Sequence, residues 1–267
     1  MKRVVVLTGA SEGIGAELAR QLARRGYDLV LAARSEEPLR AVAAECEALG
    51  ARALAVPTDV GVQAQCRQLI AQAVSQFGRI DVLVNNAGKS AHALFEDVDD
   101  LHWYEDLMRV NLWGSVWCTQ AALPHLKATR GTVVAVSSLA GLIGVPARTA
   151  YSATKFAMTG FFESLRAEMK PHGVAVTIAY PGVVATRIRH NGYNARGEKA
   201  GVSGLREDDA MPVDECARLI LEGMERRERD VVMTFKGRIG RYLKLLAPGL
   251  VERMALNALK DAGKPGT

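Results

Sequence analysis

The chain has 267 residues, with 49% hydrophobic and 24% charged side chains and a formal net charge of +5. That composition supports a sizeable buried core, excludes a disordered or fibrous chain, and at this length suits one α/β unit. The charge is unevenly placed: residues 1–217 balance at 23 basic and 23 acidic side chains, while 218–267 hold 11 basic against 6 acidic and so carry the whole excess.

Lys2-Arg3 before Val4–Leu7 resembles a signal peptide only superficially, because the apolar run is four residues long and ends in a glycine turn. It reads instead as a buried strand over residues 3–8. A helix from Ile14 to about Arg25 follows, with Ile14, Leu18 and Leu22 on one face, and Gly26 stops it. The strand Asp28 to Ala33 completes a β-α-β unit. The alternation then continues through a helix near 36–49, a strand near 51–56, a helix near 63–76 and a strand from Ile80 to Asn85. A helix around 100–124, strand 132–137, a helix over 151–170 and strand 174–179 come next. Runs such as Val82-Leu83-Val84 and Val133–Val136 lack a polar side, as in a parallel sheet covered on both faces. The expectation is one doubly wound, mostly parallel α/β sheet of Rossmann type, three layers deep, spanning 1–267 without a linker. Residues 187–212, with glycines at 192, 197, 201 and 204 and little periodicity, read as a lid over the substrate. A helix from Pro212 to about Arg226, a last strand from Asp230 to Phe235, and a C-terminal helical extension over 238–267, interrupted at Pro248-Gly249, close the chain.

Thr8-Gly9-Ala10-Ser11-Glu12-Gly13-Ile14-Gly15 joins a strand to a helix. Glycines there let a pyrophosphate approach the unpaired N–H groups and positive dipole end of the helix, so the loop reads as a dinucleotide site. The spacing is wider than the usual fingerprint, and an ordinary tight strand–helix junction is the plainer reading. The second strand ends Ala33-Arg34-Ser35, with no acid at 32–35. A carboxylate there would accept the ribose hydroxyls of NAD; an arginine instead pairs with a 2′-phosphate, which points to NADP(H). Glu12 carries the wrong charge for that phosphate. Asp59-Val60 follows the third strand, and Asp59 either accepts from an adenine amino group or caps the next helix. Asn85, Ala87 and Gly88 end the fourth strand, either as a surface for adenosine or as an Asx turn.

Tyr151 and Lys155 are four apart in a helix and share a face. A lysine ammonium near a phenol stabilises phenolate and makes it usable as a general acid or base. Ser138 lies where open α/β sheets bind ligands, beyond a strand C-terminus.

Together these segments resemble the classical short-chain dehydrogenase/reductase family. The motifs are T-G-A-S-E-G-I-G at 8–15, Asp59-Val60, N-N-A-G at 85–88, Asn111, Ser137-Ser138, Y-S-A-T-K at 151–155 and Pro181-Gly182, in the expected order over about two-thirds of the chain. The resemblance implies that Tyr151 exchanges a proton with the substrate oxygen, that Ser138 orients that oxygen, and that Lys155 supports Tyr151 and binds the nicotinamide ribose. It implies that Asn111 holds a water in a proton relay. Pro181, Gly182, Val184 and Thr186 should flank the nicotinamide. With two hydrogen-bond donors at the oxygen, no metal is required. Many NADP-preferring members have a base where this chain has Glu12, which leaves the phosphate mainly to Arg34. The opening segment is loosely similar to membrane-associated and lipid-linked reductases and to many unassigned bacterial homologues, which act variously on steroids, retinoids, 3-ketosphinganine and simple ketones, and it fixes no substrate. A reductase of that kind at a membrane surface is one alternative, and a non-catalytic NADP-binding scaffold is another.

The five histidines are dispersed and form no ligand pair. His92 borders either the pocket or the surface. Trp113 and Trp117 are four apart on one face; the resemblance implies that their helix and the one holding Tyr151 build a homodimer or homotetramer interface, although core packing explains the pair too. Cys46, Cys66, Cys118 and Cys216 show no C-x-x-C spacing and read as reduced thiols of a cytoplasmic protein. No segment reads as a transmembrane helix, and nothing in the sequence supports nucleic-acid binding. The basic residues after 218 precede an amphipathic stretch holding Leu250, Met254 and Leu256, which leaves peripheral contact with an anionic membrane as a weaker alternative to packing on the core or a partner.

Overall fold

Runs of four to six consecutive buried residues, as in Val4–Thr8 and Asp28–Ala33, can satisfy their backbone only by pairing on both edges. The computed structural model describes residues 2–203 and 210–261 and pairs seven strands, five of them such runs, into one parallel sheet. In chain order they are β1 (Val4–Thr8), β2 (Asp28–Ala33), β3 (Ala53–Pro57), β4 (Val82–Asn85), β5 (Thr132–Val136), β6 (Ala175–Tyr180) and β7 (Asp230–Val232). Their spatial order is β3-β2-β1-β4-β5-β6-β7. The order reverses between β1 and β4, the switch point at which open α/β sheets leave a crevice for ligands.

Helices cover both faces. On one side pack α1 (Gly13–Arg24), α2 (Glu36–Ala48) and α7 (Val213–Glu225). On the other lie α3 (Gln63–Phe77), α5 (Gly114–Thr129) and α6 (Thr149–Met169). Alternate residues of one strand feed different cores: Val5 and Leu7 of β1 join Leu18 and Leu22, whereas Val4 and Val6 join Leu69 and Phe162. This is the three-layer arrangement expected from the sequence, with every strand pairing parallel.

Ion pairs fix the sheet at the end away from the crevice. Arg52 donates to Asp28 from Nε at 2.9 Å and Nη2 at 2.6 Å. Burial would raise the Asp28 carboxyl, but the Arg52 bonds outweigh it and hold the group below its usual range.

Several boundaries differ from expectation. The strand placed at 80–85 begins at Val82. The helix placed at 100–124 is three pieces: α4 (His102–Met108), a π-helical segment Arg109–Trp113, and α5, which runs on to Thr129. The last strand stops at Val232 rather than Phe235. Thr234 there caps the next helix by accepting from Gly237 N at 3.0 Å. The C-terminal helices are therefore α8 (Phe235–Leu246) and α9 (Pro248–Asp261), starting three residues before the expected 238. Residues 262–267 of that extension, and Gly204 with the rest of 204–209 in the segment 187–212, lie outside the described residues. The described part of 187–212 has no helix or strand but is tethered. Tyr193 N donates to Ser90 O at 2.9 Å, and Met211 N donates to Val183 O at 2.9 Å. Among the described residues, no helix is long and apolar enough to cross a membrane.

Candidate active site

Two adjoining hollows open above the C-terminal ends of β1, β4, β5 and β6 and share Ile14, Gly88, Lys89 and Thr186, so they form one cleft. The first is lined by Gly9, Ser11, Glu12, Gly13, Ile14, Gly15, Arg34, Asp59, Val60, Ala87 and Gly88. The loop is shaped for close approach. Gly9 has φ +67°, and a Cβ on Gly15 would stand 2.0 Å from Gly9 O. No acidic side chain occupies the first turn of α1, and Glu12 at its start makes no capping bond, which leaves the helix N-terminus open to an anion.

Arg34, exposed at the end of β2, makes no hydrogen bond or ion pair among the described residues, and the Ser35 hydroxyl makes no capping bond to α2. Asp59 does not cap α3. Its Oδ1 accepts from Gly61 N at 2.8 Å in a local turn, and Val62 begins the helix. These features fit a dinucleotide: an open helix N-terminus and a glycine floor, with Arg34 at the rim.

The second hollow holds Ser138, Tyr151, Lys155, Pro181, Gly182, Val184 and Thr186. The period of α6 sets Tyr151 and Lys155 one turn apart, both buried. Lys155 Nζ donates to Val136 O at 2.9 Å and lies 5.8 Å from the Tyr151 ring centroid. Burial lowers the Lys155 ammonium from its ordinary range; a Tyr151 phenolate opposes that, and the like charge of Arg148 adds to it. Ser138 Oγ accepts from Ala140 N at 3.2 Å, which fixes the hydroxyl at the mouth of β5. Thr186 abuts the glycine loop, its Cγ2 standing 3.2 Å from where a Gly13 Cβ would lie.

Two expected site residues do not line the cleft. Asn111, fully buried in the π-helical segment, accepts from Lys89 N at 2.7 Å and donates to Lys89 O and Thr154 Oγ1, each at 3.0 Å. A Cβ on Gly88 would stand 3.2 Å from Asn111 Oδ1 and 3.8 Å from Lys155 Nζ, so both side chains crowd the Gly88 backbone. Asn85 is placed elsewhere: its Nδ2 donates to Thr119 Oγ1 at 2.9 Å, on the α5 side of the sheet. Asn86 takes the cleft position and donates to Thr8 O and Gly9 O, each at 3.0 Å. Strand alternation makes one of two consecutive asparagines face each way, but only the register says which.

Sequence reasoning missed four cations of the cleft wall, Lys89, Arg148, Arg187 and Arg189. Lys89 follows N-N-A-G directly, a position that could have flagged it. Nothing in the sequence singles out Arg148 or Arg189. His92 does not line the cleft; its backbone N donates to Tyr193 O at 2.9 Å. Among the described residues, no group of three or more His, Cys, Asp or Glu is arranged to hold a metal ion.

The profile of the short chain dehydrogenase family matches residues 3–196. Among the most similar relatives is an 11-beta-hydroxysteroid dehydrogenase-like 4A of Arabidopsis thaliana, 38% identical over 250 residues, which are 93% of this chain and 82% of that protein. An 11-beta-hydroxysteroid dehydrogenase A of Sesamum indicum is 36% identical over 270 residues, 98% of this chain and 77% of that one. Of solved structures, a short-chain dehydrogenase from Streptomyces avermitilis superposes with a TM-score of 0.80 at 27% identity, covering 96% of this chain and 98% of that one. The alcohol dehydrogenase of the archaeon Thermococcus sibiricus, complexed with 5-hydroxy-NADP, gives a TM-score of 0.74 at 26% identity over 87% of this chain and 96% of that one.

Proposed function

Since the chain belongs to the short-chain dehydrogenase/reductase family and is an oxidoreductase, we propose that it is an NADP(H)-dependent carbonyl reductase in which Tyr151 is the general acid/base. The observation that supports this best is the placement of Tyr151, Lys155 and Ser138 in one hollow that runs on into the glycine loop at the switch point.

A dinucleotide held in this cleft would supply the hydride donor or acceptor for the substrate carbon. The chain's own residues do the rest. Ser138 Oγ, held by Ala140 N, keeps its proton free to donate to the substrate oxygen and so sets the carbonyl beside Tyr151. Tyr151 then donates its phenolic proton to that oxygen in reduction, or removes it in oxidation. Lys155 stabilises the phenolate left behind and binds the nicotinamide ribose. Asn111 positions the Lys89 backbone next to Lys155 and holds the relay water. Gly9, Ser11, Glu12, Gly13, Ile14 and Gly15 hold the pyrophosphate, and Arg34 takes the 2′-phosphate. Asp59, Val60, Ala87 and Gly88 flank the adenosine; Pro181, Gly182, Val184 and Thr186 flank the nicotinamide. The described residues of the 187–212 segment, 187–203 and 210–212, close over the substrate and exclude water.

The plant relatives are named as hydroxysteroid dehydrogenases, and such names describe a secondary alcohol and its ketone. Structural binding of 5-hydroxy-NADP in the archaeal relative supports the NADP assignment alongside Arg34. A homo-oligomeric, cytoplasmic enzyme is the simplest setting, with Trp113 and Trp117, stacked at 5.9 Å, at the subunit contact. A second reading, a lipid-type reductase at a membrane surface, is favoured by one observation: Phe235 and Leu246 of α8 are 76% and 85% exposed, beside Lys236, Arg238 and Lys244.

The test is a ketone panel run with NADPH and NADH side by side. Tyr151→Phe should lose turnover by about 10²- to 10⁴-fold while NADPH still binds; near-normal activity would overturn the mechanism. Arg34→Asp should weaken NADPH by roughly 10- to 100-fold and shift preference toward NADH. Unchanged NADPH affinity would remove Arg34 from the phosphate site.

A further inference from the structure

The substrate side of the cleft is lined by four cations, Lys89, Arg148, Lys155 and Arg189, and by no carboxylate. Lys89 Nζ lies 2.6 Å from Asp106 Oδ2, and Lys155 supports Tyr151. Arg189 is turned toward the segment after β6, donating to Val184 O at 2.9 Å and to Ser203 Oγ at 3.0 Å. Arg148 is set against the phenol itself. It is half-buried, and its partners among the described residues are neutral: Nη2 donates to Ser90 Oγ at 2.6 Å and Nε donates to Ala91 O at 3.4 Å. It has no acidic partner among the described residues, and three of the five guanidinium N–H donors are unused.

Its position is as telling as its pairing. The Arg148 guanidinium carbon sits 4.2 Å above the centroid of the Tyr151 ring, on the wall where substrate must lie to reach the phenol. Burying a cation with no carboxylate beside it costs free energy; a Tyr151 phenolate would offset part of that cost, and Arg189 adds like-charge repulsion. A glutamine could make the same two neutral bonds without that cost, so the two bonds do not explain the charge.

We propose that Arg148 recognises a carboxylate on the substrate, and that the substrate is a keto acid whose carboxylate lies within a few bonds of the carbonyl. This rests on Tyr151 being the group that meets the carbonyl oxygen. The planar fork of an arginine held on one edge by Ser90 and Ala91 presents its other edge to the two carboxylate oxygens in bidentate fashion. The same contact fixes which face of the carbonyl is presented to Tyr151 and Ser138.

The experiment compares 2-oxo and 3-oxo acids of matched chain length with their methyl esters, which keep the carbonyl and lose the charge. The readout is the ratio of kcat/KM for acid over ester. In the unaltered enzyme it should favour at least one acid by about 10- to 100-fold. Arg148→Gln should bring the ratio close to one, mainly through KM of the acid, and Arg148→Lys should restore part of it. A ratio near one in the unaltered enzyme overturns the proposal. So does an Arg148→Gln variant that loses acid and ester equally, because a role confined to holding Tyr151 would act on both alike. Thermal melting and NADPH titration of the variants separate either result from misfolding. Either failure leaves the hydride-transfer reading standing, since that falls only if Tyr151→Phe remains active.

Discussion

His92 shows how a single side chain can carry a cost that no bond offsets. Its Nε2 is buried without a partner among the described residues, and Arg148 faces it across the loop. Burial first, and the Arg148 charge second, push the imidazole down from 6.5 to about 4. The unfolded chain therefore takes up a proton near pH 6.5 that the native protein refuses until about pH 4. Stability from this group is full above the unfolded value and is lost as pH falls through that window. Thermal unfolding followed from pH 7 to 4.5 should decline less steeply for His92→Gln than for the unaltered chain; parallel curves would contradict the burial argument. Asn85 and Asn86 make a different point at the same scale. Both were visible as a pair, but which one meets the cleft depended on where β4 stops, and the Thr119 bond takes Asn85 to the other layer.

Among the elements, the β1–α1 junction was the most legible, because its chemistry is local. Strand, glycine turn and helix start within twelve residues, and the turn has room only for hydrogen at Gly15. Gly15→Ala would put a methyl against the Gly9 carbonyl, a backbone group that cannot step aside. The variant should lose measurable NADPH binding in fluorescence titration and melt at lower temperature; binding and melting equal to the parent would mean that the loop relaxes freely. The helix around Asn111 was the least legible element. Apolar spacing over 100–124 reads as one helix, yet the chain inserts the π-helical segment Arg109–Trp113 there. The wider turn faces Asn111 toward the Lys89 backbone and Thr154, a demand set by other elements rather than by the helix's own sequence.

At the scale of the whole molecule, the charge inventory separates into two unrelated features. The excess in 218–267 accompanies α8 and α9, where Ile239, Tyr242, Leu245 and Met254 also stand exposed. The cations that line the substrate side of the cleft come from the charge-balanced part of the chain and converge only in the fold. Lys89 meets Tyr193 at 2.9 Å across 104 residues of sequence, and Arg148 meets Ser90 across 58. The sequence by itself determined the parallel sheet, its alternating helices, the glycine loop and the order of Ser138, Tyr151 and Lys155. Each of those is written in residue type and spacing within one or two elements. Only the tertiary structure decided which asparagine faces the cleft, how Asn111 is turned, and that Arg148 lies over Tyr151. Those contacts join distant loops, and their geometry follows from sheet register and loop packing, which no local pattern encodes.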